Sequence, residues 1–297
     1  MKKKSELSGV ITALVTPFKD GAIDGKSFVR LIRQQMDQGV DGFVINGTTG
    51  ESPTLLPDEV RALFDMAKSE SGGEVTLIVG TGGNSTARTC EFSAEVSRWQ
   101  PDALLVVVPY YNRPPQRGLL QHFAQVARAS AVPVLLYNVP SRTVASLEPK
   151  TVIELSQEPR VAGIKEATGD LATLSAIKAG VKPGFSLLSG DDASFADFCV
   201  HGGHGVISVS SHIIGAEMKE TLGRVRRGDS LAADDYKSRY APLMKGLYCE
   251  ANPIPVKMAL YWMGVIESPE LRLPLSALDD KLHREFKECL KSLGKLS

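Results

Sequence analysis

Short apolar runs alternate with stretches of helical period along most of the chain. Gly9–Val15, Gly42–Ile45, Val75–Val79, Ala103–Val108, Val132–Leu136, the run climbing through Val161 to Lys165, Phe185–Ser189 and Gly205–Val209 each read as a strand. Between them, apolar residues recur at helical spacing. Phe28, Leu31, Ile32 and Met36 mark a helix over Ser27–Gln38 that Gly39 closes. Pro57, Asp58 and Glu59 open the next helix with proline and acids in its first turn. Asn84 is expected to cap a helix running to Trp99, and Gln116–Ala129 forms another.

The strand runs are continuously apolar rather than alternating, which indicates burial on both faces. Their spacing of roughly 20–30 residues suits parallel strands joined by helical crossovers. Eight such units in about 230 residues predict a closed (β/α)8 TIM barrel over residues 1–229, an α/β fold. An open doubly wound sheet is the alternative, but no Gly-x-Gly-x-x-Gly follows the first strand, and Gly80-Thr81-Gly82-Gly83 is a poor substitute. After about Gly228 the strands stop. Ser230–Leu247, Pro253–Met263 and Asp279–Leu293 read as helices, so residues 230–297 are expected to form a C-terminal helical region packed on the barrel.

Charge narrows the partners. The 34 basic and 34 acidic side chains cancel, which leaves no electrostatic case for nucleic acid or an anionic membrane surface. No apolar run approaches the ~20 residues that span a bilayer. Lys2-Lys3-Lys4 is followed by Ser5-Glu6 and no credible cleavage site, so a soluble cytoplasmic protein is expected. The cysteines at 90, 199, 249 and 289 are scattered without a Cys-x-x-Cys pair, as expected of free thiols in a reducing compartment. His201 and His204 form a His-x-x-His pair with no further ligand pattern, read as a barrel turn rather than a metal site. Asp191-Asp192 has the acid pair of a magnesium site but is read as a solvated loop or helix N-terminus.

Candidate chemistry gathers at the strand ends, where barrels of this kind carry their active sites. The polar stretch after each strand holds Thr48 and Thr49, Tyr110 and Tyr111, Tyr137, Arg142, Lys165, and Gly190. Lys165 stands alone at the end of an apolar run. Burying an ammonium without a partner is costly. Desolvation instead favours the neutral amine, which attacks carbonyl carbon to form a Schiff base. The competing readings are a lysine snorkelling to water or one paired with Glu166. Thr48 and Thr49 offer two hydroxyls and adjacent backbone N–H groups suited to a small carboxylate, or simply stabilise their turn. Tyr137 is placed to move protons, or is a packing residue. Arg142 offers a fork for a second carboxylate, or is a surface arginine. Gly190 allows close approach to a ligand. Together they favour a site, because a lysine, a phenol and a carboxylate fork would meet at one mouth.

These segments resemble a known family. Gly47-Thr48-Thr49-Gly50-Glu51, Tyr110-Tyr111-Asn112-Arg113-Pro114, Tyr137 through Thr143, Gly163 through Gly169, Leu188 through Asp192, Gly203 through Val209, Asn252 through Lys257 and Leu271 through Pro274 are similar to the 4-hydroxy-tetrahydrodipicolinate synthase (dihydrodipicolinate synthase) family, in order and over nearly the whole chain. The resemblance implies condensation of pyruvate with L-aspartate 4-semialdehyde at the entry to lysine and diaminopimelate biosynthesis. It implies pyruvate held as an imine on Lys165, its carboxylate held by Thr48 and Thr49, and a proton relay of Tyr137, Thr48 and Tyr111. Tyr111 would reach in from a neighbouring subunit of a homotetramer built as a dimer of dimers. Arg142 would bind the semialdehyde carboxylate, and Gly190 and Ile207 would line the pocket. No organic cofactor is implied, and no residue is assigned to a metal.

The chain departs from lysine-inhibited members of that family. It has Pro57 and Val60 where they carry histidines, and Arg88 where they carry a glutamate, although Ser52, Asn84 and Tyr110 match. A cation in place of an acid repels a lysine ammonium, so feedback by lysine is expected to be weak or absent. Two rival functions fit the same residues: another pyruvate-dependent lyase, such as N-acetylneuraminate lyase or a 2-keto-3-deoxy sugar acid aldolase, and a non-catalytic barrel that binds a metabolite.

Overall fold

The computed structural model describes residues 7–296. Its strands are β1 (Gly9–Ala13), β2 (Phe18–Lys19), β3 (Ala22–Ile23), β4 (Gly42–Ile45), β5 (Thr76–Gly80), β6 (Ala103–Val107), β7 (Val134–Asn138), β8 (Val161–Glu166), β9 (Ser186–Ser189) and β10 (Gly205–Ser208). Eight of them close a barrel in the order β1-β10-β9-β8-β7-β6-β5-β4, and helices alternate with them along the chain. Chain order is thus sheet order, as the regular alternation predicts. The remaining two strands, β2 and β3, form a small antiparallel hairpin that the hydrophobic pattern does not reveal, each strand being too short to show a period.

The chain packs as two compact units. One comprises residues 7–9 with Thr76–Ile207; the other comprises Val10–Val75 with residues 208–296. In the first, adjacent strands run parallel, with Leu105 beside Leu135, Tyr137 beside Lys165, and Lys165 beside Leu188. Leu104, Val106, Leu135, Leu136, Ile164 and Leu187 are fully or almost fully buried there. The tightness shows at Gly82, where a Cβ would lie 2.3 Å from the Val107 nitrogen, so that glycine serves close packing against β6. In the second unit, β1 pairs with β4, Thr12 lying opposite Phe43. The Gly25–Asp37 helix packs against helices Pro57–Ser71 and Ser211–Arg226. Helix Ala232–Leu247 packs against Ser211–Arg226, Ile254–Trp262 and Asp280–Ser292.

Among the boundaries that differ from the sequence reading, those of three elements have a local reason in the hydrogen bonding. Strand β7 was expected over Val132–Leu136 but begins and ends two residues later. Ser130 and Val132 bond to each other in a turn, and the Pro133 carbonyl accepts from Leu104 N–H (2.8 Å). Beyond Leu136 the ladder continues, because the Tyr137 carbonyl accepts from Val108 N–H (2.9 Å) and the Asn138 carbonyl from Ala167 N–H (2.9 Å). Strand β1 stops before Val15, whose N–H donates to His212 Nε2 (3.2 Å). The helix expected to be capped by Asn84 spans Thr86–Ser97 and is preceded by Ser85 as its cap residue. The Asn84 carbonyl instead accepts from the Asn112 side chain (2.8 Å).

Candidate active site

In the first unit, the site is built on neighbouring strands. Tyr137 and Lys165 are register partners on β7 and β8, and both are buried, Lys165 at 7 % exposure. The Lys165 ammonium nitrogen lies 4.3 Å from the centre of the Tyr137 ring, over its face. The alternative pairing of Lys165 with Glu166 does not occur. Successive strand residues point to opposite faces, and Glu166 accepts from Asn138 Nδ2 (2.9 Å) and Thr168 N–H (2.8 Å) instead. Burial raises the Glu166 carboxyl above its usual range, against the lowering effect of those hydrogen bonds. Asn138 also accepts from Leu147 N–H (2.9 Å), so one amide ties β7, β8 and the segment after them. Among the described residues no carboxylate pairs with Lys165, and no hydrogen bond occupies the Tyr137 hydroxyl.

Gly190 follows β9, and its N–H donates to the Glu166 carbonyl (2.7 Å). A Cβ there would sit 2.6 Å from Ala167 Cβ and 2.9 Å from Lys165 Cε, so the lysine side chain runs directly across this glycine. Ile207 is buried on β10. Arg142 lies exposed on a short helix, Pro140–Thr143, immediately after β7. Tyr111 stands apart. It is 90 % exposed, its backbone has φ +72°, and no hydrogen bond joins it to Lys165 or Tyr137 within the chain.

In the second unit, Thr48 and Thr49 begin a single 3-10 turn, Thr48–Gly50, just after β4. The turn is held from several sides. The Gly50 carbonyl accepts from the Thr16 hydroxyl (2.8 Å), and Asn252 Nδ2 donates to Thr49 Oγ1 (2.9 Å). Glu51, at φ 59°, ends the turn in the left-handed region. Its buried carboxylate takes Lys257 Nζ at 2.5 Å and Arg272 N–H at 2.9 Å. Lys257 also donates to the Glu270 carbonyl (2.7 Å) and sits 4.2 Å from the Phe18 ring centre. Burial lowers the Lys257 ammonium to about 8, with Glu51 opposing the shift. Thr48 is half-buried and its hydroxyl has no partner among the described residues; Thr49 is buried.

Sequence reasoning assigned no role to Asn252, Lys257, Glu51 or Arg272. The signal was there in part, as a lone acid in a glycine-rich turn and a lone lysine in the apolar stretch Ile254-Pro255-Val256-Lys257-Met258. His201 and His204 bond backbone groups: His201 Nδ1 bonds the Asp197 carbonyl one helical turn back (2.8 Å), and His204 Nδ1 accepts from Leu187 N–H on β9 (2.8 Å). Among the described residues no group of three or more His, Cys, Asp or Glu is placed to hold a metal ion, and no helix is long and apolar enough to cross a membrane.

The closed parallel barrel and the comparisons that follow place the chain among the lyases of the class I aldolase type. The chain belongs to the Dihydrodipicolinate synthetase family, whose model matches residues 6–293. It is 49 % identical over 290 residues to the 4-hydroxy-tetrahydrodipicolinate synthase of Bdellovibrio bacteriovorus, covering 97 % of this chain and 98 % of that one. Its fold matches the crystal structure of dihydrodipicolinate synthase from Thermotoga maritima with a TM-score of 0.95 at 37 % identity, over 98 % of this chain and 99 % of that one. The chloride-inhibited enzyme from Acinetobacter baumannii, solved in complex with pyruvate, matches with a TM-score of 0.94 at 36 % identity, over 97 % and 99 %.

Proposed function

We propose that this chain condenses pyruvate with L-aspartate 4-semialdehyde to 4-hydroxy-tetrahydrodipicolinate, in lysine and diaminopimelate biosynthesis, through an imine on Lys165. The observation that carries the reading is the buried Lys165 amine, bound to no carboxylate and set over the Tyr137 ring. The pyruvate complex of the Acinetobacter relative supports the oxoacid substrate.

The neutral amine adds to the pyruvate keto carbon, and loss of water from the carbinolamine gives the imine. Removal of a methyl proton yields an enamine, whose carbon attacks the aldehyde; the aldehyde oxygen takes up a proton to become the 4-hydroxyl, and the substrate's own amino group then adds to the imine carbon, closing the ring and expelling the Lys165 amine. Tyr137, Thr48 and Tyr111 relay the protons of these steps, Tyr111 being supplied by a neighbouring subunit of a homotetramer. Thr48 and Thr49 hold the pyruvate carboxylate, Arg142 holds that of the semialdehyde, and Gly190 and Ile207 shape the space around the adduct. The imine itself serves as the electron sink, so the reaction needs neither a metal nor an organic cofactor. The cytoplasm is the proposed setting.

Borohydride reduction in the presence of pyruvate is expected to add the reduced three-carbon unit to the peptide containing Lys165, and to add nothing in Lys165→Ala. The purified enzyme is then expected to consume the semialdehyde and not N-acetylneuraminate. Absence of the adduct, or turnover of the sugar acid alone, overturns the proposal. Lysine is expected to inhibit weakly or not at all, since Arg88 is an exposed cation and Val60 is buried and apolar. Strong inhibition at submillimolar lysine contradicts that expectation.

A further inference from the structure

A hydroxyl has one proton to give and two lone pairs to receive with. At Thr49 one lone pair is taken by Asn252 Nδ2 at 2.9 Å, and no acceptor among the described residues takes the proton. A donor on one side of a hydroxyl turns its proton away from that side. We infer that Asn252 is a positioning residue for the oxoacid: it aims the Thr49 hydroxyl so that its proton is offered to the substrate carboxylate. The inference rests on the proposed role of Thr49 and extends it to a residue 203 positions away.

The arrangement has a second anchor. Asn252 immediately precedes helix Ile254–Trp262, and Lys257 stands on that helix. Lys257 grips Glu51 at the far end of the Thr48–Gly50 turn, while Asn252 grips Thr49 in its middle. Two attachments to the start of one helix fix both the place of the turn and its rotation. Lys257 is fully buried and reaches no solvent, so its ammonium is committed to this tie. The turn that receives the carboxylate therefore takes its orientation from the C-terminal helices.

The test reads two quantities: the concentration of pyruvate, given alone, that produces half-maximal borohydride trapping at Lys165, and kcat with both substrates present. Asn252→Ala is expected to raise it about tenfold, the scale of one hydrogen bond to a charged group, with kcat changed by no more than about twofold. Asn252→Asp is expected to raise it further, because a carboxylate at 252 draws the Thr49 proton to itself and repels the oxoacid. In a Thr49→Val background, Asn252→Ala is expected to add little, since its effect passes through that hydroxyl. A merely structural role predicts a lowered melting temperature and a fall in kcat, with no excess effect of Asp over Ala and no coupling to Thr49. Normal trapping by the natural enzyme combined with unchanged half-saturation in both variants overturns the inference and leaves the proposed reaction standing. Failure of the natural enzyme to trap pyruvate overturns both.

Discussion

At Gly190 a single methyl group meets the reacting side chain. The nearest atoms to an added Cβ are Ala167 Cβ and Lys165 Cε, both inside 3.0 Å, so Lys165 must swing aside in Gly190→Ala. Displacing a nucleophile by about 1 Å costs roughly 100-fold in rate. The variant is expected to fold and to form the pyruvate imine at least about tenfold more slowly, measured by the time course of borohydride trapping; an unchanged rate refutes the close crossing. Asn138 is the opposite case, a polar group whose removal is felt by the fold. Asn138→Ala leaves the buried Glu166 carboxylate and Leu147 N–H each without this partner. A loss of about 2–4 kcal/mol is expected by urea titration. Lys165 and Tyr137 were legible in the sequence because each ends an apolar run, where a polar group needs a reason. Asn252 was not, because its partner lies 203 residues away and an asparagine before a proline reads as an ordinary turn.

The elements themselves were legible wherever a period runs long enough to be counted. All eight barrel strands and the three C-terminal helices fall where the pattern places them, within a residue or two. What periodicity misses is where a strand ends, since that depends on hydrogen bonds to neighbouring strands. The two-residue displacement of β7 matters chemically: it brings Tyr137 into the ladder and makes it the direct neighbour of Lys165. The tie between helix Ile254–Trp262 and the Thr48–Gly50 turn has its own energetic signature. Removing one member of a buried ion pair leaves an uncompensated charge and costs about 3–5 kcal/mol, whereas removing both charges is often close to neutral. Lys257→Met is therefore expected to destabilise by that amount, and adding Glu51→Gln to recover a good part of it. Equal destabilisation of the single and double variants in urea would show that the pair does not act as one unit.

The molecule as a whole carries two buried imidazoles that set its acid limit. His212 is fully buried, with Nδ1 against the Val209 carbonyl (2.8 Å) and Nε2 accepting from Val15 N–H. Burial lowers it from 6.5 to about 4, against the raising effect of the Val209 bond. His122, bonded through Nδ1 to Thr86, is likewise lowered to about 4 by burial. Both are depressed relative to the unfolded chain, so their contribution is whole above pH 6.5 and is lost as pH falls through that value toward 4. From the size of each shift the loss is up to about 3 kcal/mol per histidine. The urea midpoint is expected to fall between pH 6.5 and 4.5, a window above the titration of Asp24 and Glu59, whose carboxyls are held below their ordinary range; Glu166, raised by burial, binds its proton more readily in the folded chain and opposes the fall, so the two histidines act against one carboxyl. A flat midpoint across that window would contradict the assignment.

Tyr111 holds an unfavourable backbone angle and leaves nearly all of its ring in water. A side chain so costly to its own chain and so useless to it gives the catalyst a social character if, as proposed, it serves the next subunit. Turnover per mole of protein should then fall on dilution, more steeply than linear loss allows, and recover on adding an inactive Lys165→Ala chain that still lends its tyrosine.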